Sequence, residues 1–254
     1  MIPKKPIGYN VKIVVSGHVL EVYEYTDTIW RGLKSQEKRV SPAKISPEDM
    51  DEIILAEKLD SRGKSNIRAR NTLRRLALAN FSNKSKFLTL TFKENETDLE
   101  GANKQFKKFI RKLRNELGDF KYLAVIEFQK RGAIHFHVLL TIKYTKAKQL
   151  EEWWGKGFIK INRIDHVDNI GAYVVKYMTK ADADERLIGK KMYQTSKNLE
   201  RPKEYIGKEA LYILEQLKAE KRKKAYSSKY KSKLTENEIS YTEYNLKRAT
   251  NTLK

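Results

Sequence analysis

The stretch Glu127-Phe-Gln-Lys-Arg-Gly-Ala-Ile-His135-Phe136-His137-Val-Leu-Leu140 constrains this chain more than any other. Residues 134–141 are rich in β-branched and aromatic side chains, and Arg131-Gly132 ahead of them reads as a turn, which predicts a strand. Side chains alternate along a strand, so His135 and His137 share one face while Ile134, Phe136 and Val138 point the other way, into a core. The preceding run, Tyr122-Leu-Ala-Val-Ile-Glu127-Phe, has the same character, and the two runs predict a hairpin. Loop length sets its register. A three-residue loop, Lys130-Arg131-Gly132, places Gly132 at the left-handed position of a bulged turn, pairs Gln129 with Ala133 and Glu127 with His135, and leaves Glu127 on the histidine face. A four-residue loop would turn Glu127 into the apolar layer, where a carboxylate is costly. The shorter loop is therefore expected. Two of the chain's 4 histidines then stand on one rigid face with a carboxylate beside them, a donor set for a divalent cation with Gln129 as the reserve third ligand. An H-x-H pair alone is common on surfaces and in cores, so other residues have to carry the reading.

Upstream, Tyr9-Asn-Val-Lys-Ile-Val-Val15 and Val19-Leu-Glu-Val-Tyr-Glu-Tyr25 flank Ser16-Gly17 and predict an N-terminal hairpin. Ser46-Pro47-Glu48-Asp49 is a helix start, with the helix expected to run to about Leu59. A second helix is expected over residues 61–80, interrupted near Gly63. Residues 86–92 predict a central strand, 99–117 an amphipathic helix with Phe106, Phe109, Ile110 and Leu113 at helical spacing, 147–154 a short helix, and 157–164 a strand. The order strand, helix, two strands, helix, strand predicts an α+β fold: an antiparallel sheet with helices packed on one face, ferredoxin-like or RRM-like, with N- and C-terminal additions. The organisation expected is residues 1–60 as an N-terminal hairpin and helix, 61–185 as the catalytic domain, and 186–254 as a basic C-terminal segment. Within the last, residues 210–221 predict a helix, and residues 225–233 and 239–246 read either as a basic hairpin or as a flexible tail.

The chain has 53 basic and 32 acidic residues, a net charge of +21, which is the balance of a polyanion binder. No apolar run approaches the ~20 residues needed to cross a bilayer. The opening residues lack the apolar core of a signal peptide. With no cysteine there are neither disulfides nor thiolate metal sites, and no phosphate-loop motif for an ATP motor is present. A cytoplasmic location in a bacterial host is expected.

The second half of the chemistry lies in residues 167–183, predicted to be helical. On a helical wheel Tyr173, Lys176, Tyr177 and Lys180 share one face, while Ile170, Val174, Val175 and Met178 form an apolar flank. Tyrosines four apart are ordinarily packing pairs, and lysines ordinarily snorkel. Beside an H-x-H face and a charge of +21, the same residues describe transesterification of a DNA phosphodiester: a cation orients the phosphate, a phenolate attacks phosphorus, and a 3′ hydroxyl leaves. Lys176 and Lys180, three residues after each tyrosine, are placed to favour the phenolate.

Together these residues resemble the HUH endonucleases, and among them the rolling-circle replication initiators of plasmids and phages. Phe87-Leu-Thr-Leu-Thr-Phe92 is similar to the family's first motif, Gly132-Ala-Ile-His135-Phe136-His137-Val to its metal motif, and Tyr173-x-x-Lys176-Tyr177-x-x-Lys180 to the nucleophile motif of its two-tyrosine subgroup. The resemblance covers about residues 85–182. It implies His135, His137 and Glu127 as ligands of Mg²⁺ or Mn²⁺, Tyr173 and Tyr177 as nucleophiles with Lys176 and Lys180 assisting, and a 5′-phosphotyrosyl intermediate with strand rejoining. The partners it implies are single-stranded DNA at a replication origin and a host helicase and polymerase. Arg68, Arg74, Arg75, Thr89, Thr91 and Arg131 are expected DNA contacts. A conjugative relaxase or single-strand transposase would use the same chemistry. A non-catalytic basic nucleic-acid-binding protein would use the tyrosines only for stacking, and a metal-dependent phosphodiesterase would attack with water. Charge alone assigns origin recognition to the N-terminal part and the C-terminal segment.

Overall fold

A computed structural model describes residues 5–32, 52–129, 131–181, 191–232 and 235–248; inside the helices, the side chains of residues 52–62, 64 and 179–181 fall outside it. The helix start expected at residues 46–49 therefore lies outside the described residues. The chain forms two compact units, Met1–Leu55 with Pro202–Lys254, and Ala56–Arg201.

The second unit is built on a five-stranded antiparallel sheet. Its strands are β3 (Lys86–Leu90), β4 (Tyr122–Phe128), β5 (Ile134–Leu140), β6 (Ile159–Asn162) and β7 (Tyr193–Thr195), in the order β6-β3-β5-β4-β7. Between them run α2 (Leu99–Leu117), α3 (Ala147–Trp154) and α4 (Ile170–Ala181). The succession β3-α2-β4-β5-α3-β6 with that strand order is the split βαβ arrangement expected from the sequence. Asp98 starts α2 by accepting from the amides of Glu100 and Gly101 at 3.0 and 2.9 Å. The helix then buries Ala102, Phe106, Phe109, Ile110 and Leu113.

The alternation of β5 divides the core. Phe136 stacks on Phe106 of α2, with centroids 4.6 Å apart, and so belongs to the layer under α2. Phe109 of α2 also meets Trp154 of α3 at 5.5 Å. His137 faces the other way and stacks on Tyr177 of α4, with centroids 3.8 Å apart. The antiparallel α+β class is as expected, and α2 and α3 are the helices on one face; α4 covers the opposite, histidine face. Ile170, Val174 and Met178 of α4 are buried, as its apolar flank predicted. Behind α4 lies α1 (Glu52–Asn80), a single helix running through Gly63, where the sequence predicted two. One glycine costs a helix only ~1 kcal/mol, which packing of Leu73, Leu76 and Ala77 in the core outweighs. At Gly171 the two helices approach so closely that an added Cβ would lie 2.6 Å from the Arg74 carbonyl oxygen.

The first unit joins the two ends of the chain. The hairpin β1 (Ile7–Ser16) and β2 (Val19–Arg31) shares a sheet with β8 (Lys203–Ile206), β9 (Lys224–Lys231) and β10 (Glu238–Asn245), in the order β8-β1-β2-β10-β9. Helix α5 (Lys208–Ala219) covers one face, packing Ala210, Leu214 and Leu217 on Val11, Ile13, Leu20, Val22 and Tyr244. Residues 225–246, readable from sequence as hairpin or tail, form the hairpin. The N- and C-terminal segments, separate in the sequence reading, are thus strands of one sheet. Among the described residues no helix is long and apolar enough to cross a membrane.

Candidate active site

The β4–β5 loop has the shorter form. Glu127 pairs with His135 and Phe128 with Ile134, the Gln129 amide donates to the Ala133 carbonyl at 2.9 Å, and Gly132 stands at φ 88°. Glu127 therefore lies on the histidine face. His135 and His137 are 8% and 4% exposed, so both imidazoles are largely withdrawn from water.

His137 is held at both nitrogens. Its Nε2 meets the Glu127 carboxylate directly, and its Nδ1 lies 3.2 Å from the Thr89 hydroxyl on β3, its cross-strand partner. The Asn162 side-chain amide donates to the same hydroxyl at 3.2 Å. Burial holds His135 below its usual pKa, and the nearby His137 and Arg131 push the same way against Glu127, so His135 stands as a neutral donor. The donor types suit a hard or borderline divalent cation. As they stand, however, no three His, Cys, Asp or Glu side chains among the described residues form a cluster that could hold a metal ion. Glu127 and His137 bond each other instead.

Helix α4 carries the tyrosines over this face. Asn169 starts it, accepting from the Ala172 amide at 2.9 Å. Tyr177 lies nearly parallel to His137 and stacks on Phe87 at 5.4 Å. Tyr173 meets Phe87 edge-on at 5.1 Å. The Tyr177 hydroxyl donates to that of Tyr173 at 3.4 Å. Burial, the bond to Tyr173 and the charges of Tyr173 and Glu127 push the Tyr177 phenol well above its usual pKa. The Lys176 ammonium sits over the ring faces, 3.8 Å from the Tyr173 centroid and 5.0 Å from that of Tyr177. The Lys180 side chain lies outside the described residues.

The expected DNA contacts fall into two groups. Arg68 and Arg131 are exposed, Arg131 donating to Gln129 at 3.0 Å, and Arg74 and Arg75 are half-buried on α1. The two threonines have internal partners. Thr89 orients His137, while the Thr91 hydroxyl donates to the Phe158 carbonyl at 2.9 Å and accepts from its amide at 3.1 Å. Sequence reasoning missed Asn162 and the positioning role of Thr89. Both depend on which strands flank β5, and no local pattern carries that.

Residues 85–182 match the family model for replication-associated proteins of the ORF2 and gene 2 protein type. This stretch is similar to that family. It spans β3 to the end of α4 and holds every metal and nucleophile candidate. No curated protein and no solved structure matches the chain.

Proposed function

We propose that this protein nicks single-stranded DNA at a replication origin by tyrosine transesterification and rejoins the strands afterwards. One observation carries the reading: two hydrogen-bonded tyrosines on α4 lie directly against the imidazole and carboxylate face of β4 and β5. The match of that same stretch to a replication-associated family supports it.

The chemistry follows from the side chains. The phenolic oxygen of Tyr173 or Tyr177 bonds to phosphorus as the P–O3′ bond breaks. The electron pair leaves on O3′, which takes up a proton to become a free 3′ hydroxyl, and phosphorus stays joined to the tyrosine as a 5′-phosphotyrosyl ester. The ester replaces a phosphodiester, so reversal reseals the strand without ATP. Lys176 places positive charge against the Tyr173 ring, which stabilises a phenolate whose charge spreads into that ring. The neighbouring hydroxyls, 3.4 Å apart, can exchange a proton, and the second tyrosine offers a second transfer while the first bond exists. Glu127, His135 and His137 would hold Mg²⁺ or Mn²⁺ after the Glu127 side chain turns from its bond to His137, and a bound cation would neutralise the scissile phosphate. Arg68, Arg74, Arg75 and Arg131 would contact the strand backbone, and a host helicase and polymerase would extend the 3′ end.

The test incubates the full chain with single-stranded origin DNA and Mn²⁺ or EDTA and resolves products on a denaturing gel. A metal-dependent covalent adduct is expected from the wild type and none from Tyr173→Phe with Tyr177→Phe; the single variants report which tyrosine attacks first. Cleavage that survives in the double variant would assign the attack to water. Tight binding with no adduct on any origin strand would assign the protein to non-catalytic binding.

A further inference from the structure

The Met1–Leu55 and Pro202–Lys254 unit carries a feature that nicking does not use. Residues directly opposite across neighbouring strands share a face. Lys12 pairs with Tyr23, Tyr23 with Tyr241, and Tyr241 with Ser228. One step along, Tyr25 and Tyr230 both pair with Ile239. These side chains stand on the face turned away from α5. Tyr241 lies 5.1 Å from Tyr23 and 6.0 Å from Tyr226, centroid to centroid, and the Lys12 ammonium sits 4.6 Å above the Tyr23 ring. Glu21 accepts from the Tyr23 and Tyr241 hydroxyls at 3.3 and 3.2 Å, and Glu243 accepts from Tyr241 at 3.2 Å, which fixes the rings. Tyr226 and Tyr230 are 57% and 47% exposed.

We propose that this tyrosine face is a stacking platform for single-stranded DNA, separate from the transesterification site. Exposed rings stepping across a sheet offer surfaces on which any base can stack. The edge beside them supplies phosphate contacts: Lys221, Lys223, Lys224, Lys229 and Lys231 are all exposed. Glu21, only 2% exposed and engaged by two hydroxyls, does not confront the phosphates. A protein partner would call for an aliphatic patch, and among these paired residues only Ile239 is aliphatic. The choice of DNA over RNA rests on the nicking reading; the platform itself does not.

The full chain would be titrated into labelled oligo-dT of about 20 nucleotides in EDTA, at about 0.3 M salt so that phosphate attraction is weakened. Tyr226→Ala with Tyr230→Ala is expected to weaken binding about tenfold or more, while Tyr226→Phe with Tyr230→Phe stays within about twofold, because the ring and not the hydroxyl stacks. Adduct formation on a short strand that covers only the nick site is expected to be unchanged. Photocrosslinking of an iodouracil strand to the wild type gives a readout that does not depend on how the variants fold, and crosslinks within residues 224–231 are expected. Wild-type affinity in the alanine variant, an equal loss in the phenylalanine variant, or crosslinks confined to residues 56–201 would overturn the platform. Tighter binding of oligo-rU would overturn its assignment to DNA. Failure of every protein to form an adduct, with the alanine effect intact, would defeat the nicking reading and leave the platform standing.

Discussion

His137 illustrates how one side chain is fixed by three strands. Glu127 on β4 meets one nitrogen, Thr89 on β3 faces the other, and Asn162 on β6 secures the threonine. Groups that orient a histidine in this way typically change metal affinity or activity by about 10- to 100-fold when removed. Thr89→Val is therefore expected to slow adduct formation about 10-fold or more, with Thr89→Ser restoring it; equal rates in single-turnover gels for Val and wild type would remove Thr89 from the positioning role. Gly132 sits at φ 88°, where an L side chain costs ~1–2 kcal/mol. Gly132→Ala should lower unfolding free energy by about that amount in urea titrations, and a change near zero would mean that the turn relaxes. At this scale much was legible. The alternation of residues 134–140 and the glycine two residues before it were enough to place Glu127, His135 and His137 on one face. The Thr89–His137 contact was not legible, because it joins residues from different strands whose adjacency the alternation does not encode.

Helix α4 depends on the helix behind it. Gly171 lets the Arg74 carbonyl come close, and an added methyl group would meet that oxygen at 2.6 Å. Gly171→Ala forces the helices apart, with an expected cost of ~1–3 kcal/mol and a fall in adduct yield, since α4 carries both tyrosines. Calorimetry and the adduct gel together check this; a stable protein with full yield would refute it. Asp98→Ala removes the α2 cap and should cost ~1 kcal/mol, read by urea unfolding, with adduct chemistry retained. Long elements with clear periodicity, α2 and α3 above all, matched their sequence bounds. The strands β7 and β8, three and four residues long, sit in a stretch read as loop. Segments that short have no period to detect, and only the edges they pair with, β4 and β1, define them.

At the level of the molecule, two cores stand side by side in the sequence but not in sequence order, because residues 56–201 fall between the two parts of the other unit. In that unit β10 is paired on both sides, by β2 and β9. Thr242 faces β2 and β9 in the middle of β10, so Thr242→Pro removes a ladder donor from an interior strand. Amide exchange of β1 and β2 is expected to accelerate markedly while adduct formation on a short nick-site strand persists. Unchanged exchange would show that the hairpin holds without its C-terminal partners. Pairing such as Tyr241 with Tyr23 spans more than two hundred residues, which is why the chain ends read as independent additions.

The same interleaving sets a timetable for synthesis. The β1–β2 hairpin leaves the ribosome early, yet its neighbours β8 and β10 are translated roughly 170 residues or more later, a delay of roughly 10–35 s at ~5–20 residues per second. During that interval residues 56–201 can complete their own fold, while Val11, Ile13 and Val22 wait without α5 and β2 waits with an open edge. A nascent chain of this design is most exposed to chaperones and to mispairing with its neighbours on the same message just before its last fifty residues emerge.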